Sequence, residues 1–92
     1  MIKSIKHKGL KRFYKNGNTS GIQAKHAKRL GELLILLDTA EDISDMNIPG
    51  YGLHSLKGDR SGTWSMRVSA NWRLTFEFIG SDAYVVDYED YH

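Results

Sequence analysis

The spacing of hydrophobic and polar residues changes half-way along the chain. Between Lys8 and Asn16, Leu10, Phe13 and Tyr14 recur at helical spacing, and Gly17 follows as a stop. Thr19-Ser20-Gly21 reads as a loop, and Ser20 with Gln23 three residues on has the spacing of a capping box for a second helix. In that helix Ala24, Ala27, Leu30, Leu34 and Leu37 form one stripe, with Lys25, Lys28, Arg29 and Glu32 off it. Thr39 to Met46 is acidic and predicts a further helical turn or two, closed by Pro49-Gly50. Ahead of these elements, Met1 to Ile5 is short and β-prone.

Beyond residue 50 the period becomes two. Trp64, Met66 and Val68 alternate with polar neighbours, as do Trp72, Leu74, Phe76 and Phe78; Tyr84, Val86 and Tyr88 follow the same alternation. Three half-buried strands in succession predict an antiparallel meander, with Gly58 to Gly62 and Gly80 to Asp82 supplying turn chemistry. Apolar residues sit at even positions on all three strands, so residues opposite each other must sum to an even number. This predicts Arg67 or Ser69 opposite Arg73, and a Gly80–Asp82 loop that pairs Phe78 with Tyr84 and Phe76 with Val86. The other face then sets Arg73 against Glu89 and Thr75 against Asp87. The expected architecture is α+β in two layers, with N-terminal helices on the even face of a small, mainly antiparallel sheet. The odd face is left polar, two-signed and uncovered.

With 92 residues the chain suits one domain, 1–92. Cysteine is absent, which excludes disulfides and thiolate metal sites. The basic start MIKSIKHKGLK lacks the apolar core of a signal peptide. The longest apolar run, Leu33 to Leu37, is far too short to span a bilayer. A cytoplasmic protein without membrane attachment is expected. The net charge of +2 hides an asymmetry: residues 1–37 carry nine Lys/Arg against one acid, a net of +8, and residues 38–92 carry four against ten, a net of −6. A basic half-chain suits a phosphate-bearing partner, and equally a solvated helix face rich in lysine.

The four histidines have no metal-ligand spacing, and HExxH, Walker, GxGxxG and GxSxG patterns do not occur. What remains suits RNA cleavage. Attack of a ribose 2′-OH on its phosphate needs a base, an acid for the leaving 5′-oxygen, and cations for the charge gained by the phosphorane. His54 lies three residues before Lys57, Arg67 and Arg73 lie on the odd face, and Asp90-Tyr91-His92 follow the third strand. Plainer readings stand beside these. His54 can be an ordinary loop histidine, His92 a frayed end, and Arg73 the cross-strand partner of Glu89. Lys57 and Arg60 can be solvated turn residues, and Tyr91 can stack on a base or anchor the tail.

The segment His54-Ser55-Leu56-Lys57-Gly58-Asp59-Arg60-Ser61-Gly62 resembles a strand and turn of the HigB branch of the RelE toxin superfamily. So do Trp64 to Val68, Asn71 to Phe76, the ending Val86 to His92 with its closing Asp90-Tyr91-His92 and, more weakly, the opening MIKS-K-KGL. The resemblance implies a RelE-like fold and a ribosome-dependent endoribonuclease that cuts mRNA in the 30S A site, with no metal or cofactor. It implies acid/base work by His54 and His92, a tuning role for Asp90, and substrate contact or tail placement by Tyr91. Lys57, Arg60, Arg67 and Arg73 would hold the phosphate. The implied partners are a HigA-type helix-turn-helix antitoxin, the ribosome and mRNA. Two other readings are a ParE-like toxin acting on DNA gyrase, which gives His54 and His92 no role, and a non-catalytic RNA-binding module, which leaves the odd face idle.

Overall fold

The computed structural model describes residues 1–90 of the chain. The first helix, α1 (Lys8–Asn16), has the predicted limits. His7 Nδ1 accepts the Leu10 N–H at 3.0 Å, and Gly17 ends the helix at φ 76° with its N–H bonded to Phe13 O at 2.9 Å. Glycine takes that left-handed conformation without a Cβ clash. The second helix, α2 (Ala27–Thr39), buries Leu30, Leu33, Leu34 and Leu37. It begins later than predicted, after a separate 3₁₀ turn at Ala24–His26, and Ala24 is exposed.

The Ser20–Gln23 capping box does not form. Gln23 makes no side-chain capping bond, and Asn18 Oδ1 takes the Ser20 N–H at 2.9 Å in one of two successive Asx turns. A backbone contact accounts for the delay: a Cβ on Gly9 would stand 2.2 Å from Gly21 O, so the loop presses directly on α1. Helix propensity alone favours Gly9→Ala by about 1 kcal/mol. The contact is with backbone that cannot swing aside, and overpacking of this kind costs about 1–3 kcal/mol. Gly9→Ala is therefore expected to lower the melting temperature by several degrees, about 4–8 °C per kcal/mol in a domain this small. A thermal unfolding curve checks this; a raised midpoint would mean that propensity wins.

The acidic stretch forms a 3₁₀ turn, Ile43–Met46, closed by reciprocal Asp42 and Asp45 bonds. Four strands follow: β1 (His54–Ser55), β2 (Thr63–Ser69), β3 (Trp72–Ile79) and β4 (Asp82–Asp90), in antiparallel order β1-β2-β3-β4. Residues 1–6 lie parallel along the outer edge of β4 through four backbone bonds of 2.8–3.0 Å, including Lys3 N to Ala83 O and Lys6 N to Val86 O. Asp38 on α2 ties this segment down by accepting from Ile2 N at 2.8 Å and from the Tyr14 hydroxyl at 3.1 Å.

Away from the turns the register is as predicted: Arg67 faces Arg73, Arg73 faces Glu89, and Thr75 faces Asp87. Near the turns it is not. Both hairpins use two-residue turns, pairing Ser69 with Trp72 and Ile79 with Asp82, so Phe78 meets Ala83 rather than Tyr84. One shift in each hairpin restores the parity, between Arg67 and Ser69 and between Thr75 and Glu77. At the second, Val85 and Val86 stand against Phe76, replacing the simple Phe76–Val86 pairing, and Val85 takes φ 52°. An extra residue in one strand is how a β-bulge combines a tight turn with an unbroken apolar face. That face, with Met66, Leu74, Phe76 and Val86 fully buried, packs on the α2 leucines.

Candidate functional site

Of the predicted site residues, the sheet brings His54, Arg67 and Arg73 onto two adjacent cross-strand rows. His54 pairs with Ser65, Ser65 with Thr75, and Thr75 with Asp87; beside this row Arg67 pairs with Arg73, and Arg73 with Glu89. Paired residues share a face, so His54, Arg67 and Arg73 lie on the side opposite the helices. His54 is exposed, and its Nδ1 lies 3.1 Å from Gly52 O. A carbonyl only accepts, so Nδ1 carries the proton and Nε2 is the nitrogen left to exchange one. A Cβ on Gly52 would sit 3.8 Å from Arg67 Cβ and 3.9 Å from its Nη2, so His54's anchor and the Arg67 guanidinium meet at the same glycine.

Arg67 and Arg73 are directly opposite like charges, an arrangement that costs stability unless something neutralises it. The carboxylate in their row does not. Glu89 is closed in a two-pronged bond by Arg60, Nη1 to Oε1 at 2.9 Å and Nη2 to Oε2 at 2.7 Å, and also accepts the Thr75 hydroxyl. Arg60 thereby holds the Glu89 carboxyl below the usual carboxylate range, with help from Thr75 and against the opposing effect of burial. Arg73 turns instead to its own hairpin, donating to Ala70 O at 2.6 Å and Trp72 O at 3.1 Å. Arg73 and Glu89 stand opposite each other but form no ion pair.

This arginine–glutamate clamp also changes the picture of the open face. Arg60 follows β1 on one edge of the sheet, and Glu89 belongs to β4 at the other. The chain after Leu56 must therefore cross the polar side, and Ser65 and Thr75 beneath it are only 2% and 1% exposed. The odd face is roofed at its centre and open towards His54 and Arg67. Lys57 is exposed at the entry to the 3₁₀ turn Gly58–Arg60. Asp90 pairs with Trp72 and so belongs to the helix-side face, not beside Arg73. Tyr91 and His92 lie outside the described residues. Among the described residues no group of three His, Asp or Glu side chains is placed to hold a metal ion, and no helix is long and apolar enough to cross a membrane.

Residues 3–92 match the family described as RelE-like toxin of type II toxin-antitoxin system HigB. The chain is also 54% identical to the Endoribonuclease HigB of Proteus vulgaris over 92 residues, the full length of both. The chain belongs to the HigB family of RelE-like toxins. The α+β arrangement of helices on a four-stranded antiparallel sheet agrees with that assignment, and a toxin of a type II pair has an antitoxin as its partner.

This HigB-family chain also contains a buried aromatic cluster that the sequence did not announce. His26 is 2% exposed, and its Nδ1 lies 2.5 Å from the Tyr88 hydroxyl; Tyr88 stacks on Trp72 at 4.5 Å between ring centres. His7 packs edge-on to Tyr88 at 5.3 Å. Trp72 is the cross-strand partner of Asp90, so the cluster fastens the end of β4 to the start of α2. Burial, and secondarily the charge of Lys25, lower the His26 pKa from its ordinary 6.5. In acid the unfolded chain takes up this proton before the folded one, so the unfolded state is favoured as pH falls. The stability His26 contributes is complete above 6.5 and is lost as pH falls through its folded value. Urea titrations at pH 7.5 and 5.5 should show a drop in stability that His26→Gln reduces. Glu89, depressed below the carboxylate range, does not titrate between those two pH values. An identical pH dependence in the variant would contradict this assignment.

Proposed function

We propose that the chain is an endoribonuclease that cuts mRNA in the 30S A site of the ribosome, arresting translation until its antitoxin is bound. The observation that carries this reading is that Arg67 and Arg73 are cross-strand partners on the open face with their row's carboxylate taken by Arg60, next to an exposed histidine whose Nε2 is left to exchange a proton. Two arginines on one face, neither in an ion pair among the described residues, leave positive charge for a phosphodiester. The 54% identity to an enzyme named as an endoribonuclease supports the same chemistry.

In the reaction a base takes the 2′-OH proton, a bond forms from O2′ to phosphorus, and the bond from phosphorus to O5′ breaks as an acid protonates O5′. The products are a 2′,3′-cyclic phosphate and a 5′-OH. His54, through Nε2, and His92 divide the two proton transfers. Arg67 and Arg73 take up the charge that develops on the phosphorane, with Lys57 approaching from the loop. Tyr91 serves the substrate, and Asp90, on the opposite face from the arginines, acts by tuning His92. Arg60, engaged by Glu89, holds the loop that carries Lys57 in place. The partner is a HigA-type helix-turn-helix antitoxin.

The side chains offer weak acids and bases, so an in-line geometry imposed by the ribosome is a large part of the barrier, up to ~7–11 kcal/mol in favourable cases. The test is cleavage of one mRNA free in solution and on programmed ribosomes. Rapid cutting on the ribosome and slow cutting off it are expected; equal rates would remove the ribosome from the account.

A further inference from the structure

The densest positive charge of the chain lies away from the cleavage face. No acidic residue occurs between Met1 and Gly31, and α1 carries Lys8, Lys11, Arg12 and Lys15. Between α1 and residues 1–6 runs an open groove of about 270 Å³, lined by Lys3, Lys11 and Lys15 with Ser4, Ile5 and Tyr14. Lys11 and Lys15 are one helical turn apart, where like charges repel. Nothing in the fold compensates them: among the described residues the ion pairs are Met1–Asp82 and Arg60–Glu89. The carboxylate of Asp38 accepts from the uncharged Ile2 N–H and Tyr14 O–H and forms no ion pair with these lysines. Tyr14 spends its hydroxyl proton on Asp38, whereas Ser4 Oγ accepts from Val85 N and keeps its own O–H to donate beside the lysines.

We propose that this groove is a second RNA-binding site, in which Lys3, Lys11 and Lys15 grip the phosphodiester backbone of a folded RNA. The inference rests on the reading of the chain as a nuclease acting on RNA. The groove flanks residues 1–6, beyond β4, whereas His54 lies on β1 at the other edge of the sheet. Four inter-strand steps separate those edges, roughly 19 Å at ~4.8 Å each. One phosphate cannot fill both sites, but a structured RNA beside the scissile strand can. Lysines suit that task because they act as mobile point charges that follow a backbone without reading sequence.

The test compares the full chain with a Lys3→Gln/Lys11→Gln/Lys15→Gln variant. The probes are a labelled RNA hairpin and programmed 30S subunits, with binding followed from 50 to 200 mM salt. Losing three phosphate contacts should flatten the slope of log affinity against log salt by about 2–3 for the duplex probe. A Lys25→Gln/Lys28→Gln variant, changed at exposed lysines outside the groove, should move it less per charge. Melting temperature should be unchanged, as should single-turnover cleavage at saturating ribosomes, since no group on the cleavage face is altered. An unchanged slope, or an equal per-charge effect at Lys25 and Lys28, overturns the site. So does a variant that keeps its RNA slope and loses only an acidic protein partner. If the parent chain cuts no RNA, the nuclease reading falls while the slope still decides the groove.

Discussion

His54→Ala is expected to slow single-turnover cleavage of ribosome-bound mRNA by about 10²–10⁴-fold, the usual cost of losing a general acid or base. Its melting temperature should stay near that of the parent, because the side chain is exposed and its described bond is to a loop carbonyl. His92→Ala should lose a similar factor if the two histidines divide the proton transfers. Removing residues 90–92 should cost at least as much activity, and among the described residues it takes the Trp72–Asp90 rung of β4 from the sheet. A pH–rate profile separates the roles. The parent should give a bell with two limbs, and each single variant should lose one of them. Variants that cut at the parental rate would return His54 to an ordinary loop histidine and His92 to a frayed end.

Arg67→Ala and Arg73→Ala are expected to lower the same rate by about 10²–10³-fold each, comparable to removing one charge-stabilising donor from an active site. The two should differ in stability. Arg67 lies against a direct like-charge neighbour, so its removal should be neutral or mildly stabilising. Arg73 also donates to Ala70 O and Trp72 O, so its removal should loosen the β2–β3 turn and lower the midpoint slightly. Lysine at either position should restore charge but only part of the rate, because it lacks the planar two-pronged donor set. Arginine variants that lose stability in step with activity would mean that the pair only shapes the sheet.

The helix limits were legible because local rules decide them: Leu10, Phe13 and Tyr14 set a period, and Gly17 takes the one conformation that stops it. Side-chain parity likewise placed Arg67, Arg73, Thr75 and Asp87 on one face. The bulges were not legible. A two-residue turn plus one extra residue leaves the same apolar alternation in mid-strand as a longer loop, and Val85 at φ 52° is not a residue that advertises a left-handed backbone. The register puts Glu89 opposite Arg73, and cross-strand proximity is all that a sequence offers for choosing its ion-pair partner. The partner it takes, Arg60, arrives from a loop that crosses the sheet. His26 sits among lysines and so reads as surface, and nothing local connects it to Tyr88, 62 positions away. The delayed start of α2 has the same origin, a contact between Gly9 and Gly21 that no periodicity encodes.

The chemistry proposed for the His54–Arg67–Arg73 face turns on a single atom of the substrate, the 2′-oxygen of the nucleotide before the cut. Programmed ribosomes carrying an mRNA with one 2′-deoxynucleotide at that position test it directly. The account predicts no cleavage at the substituted site, normal binding, and a 2′,3′-cyclic phosphate at the same site in the all-ribose control. Cleavage of the deoxy-substituted message at the parental rate, or a 3′-OH end in the control, would contradict it.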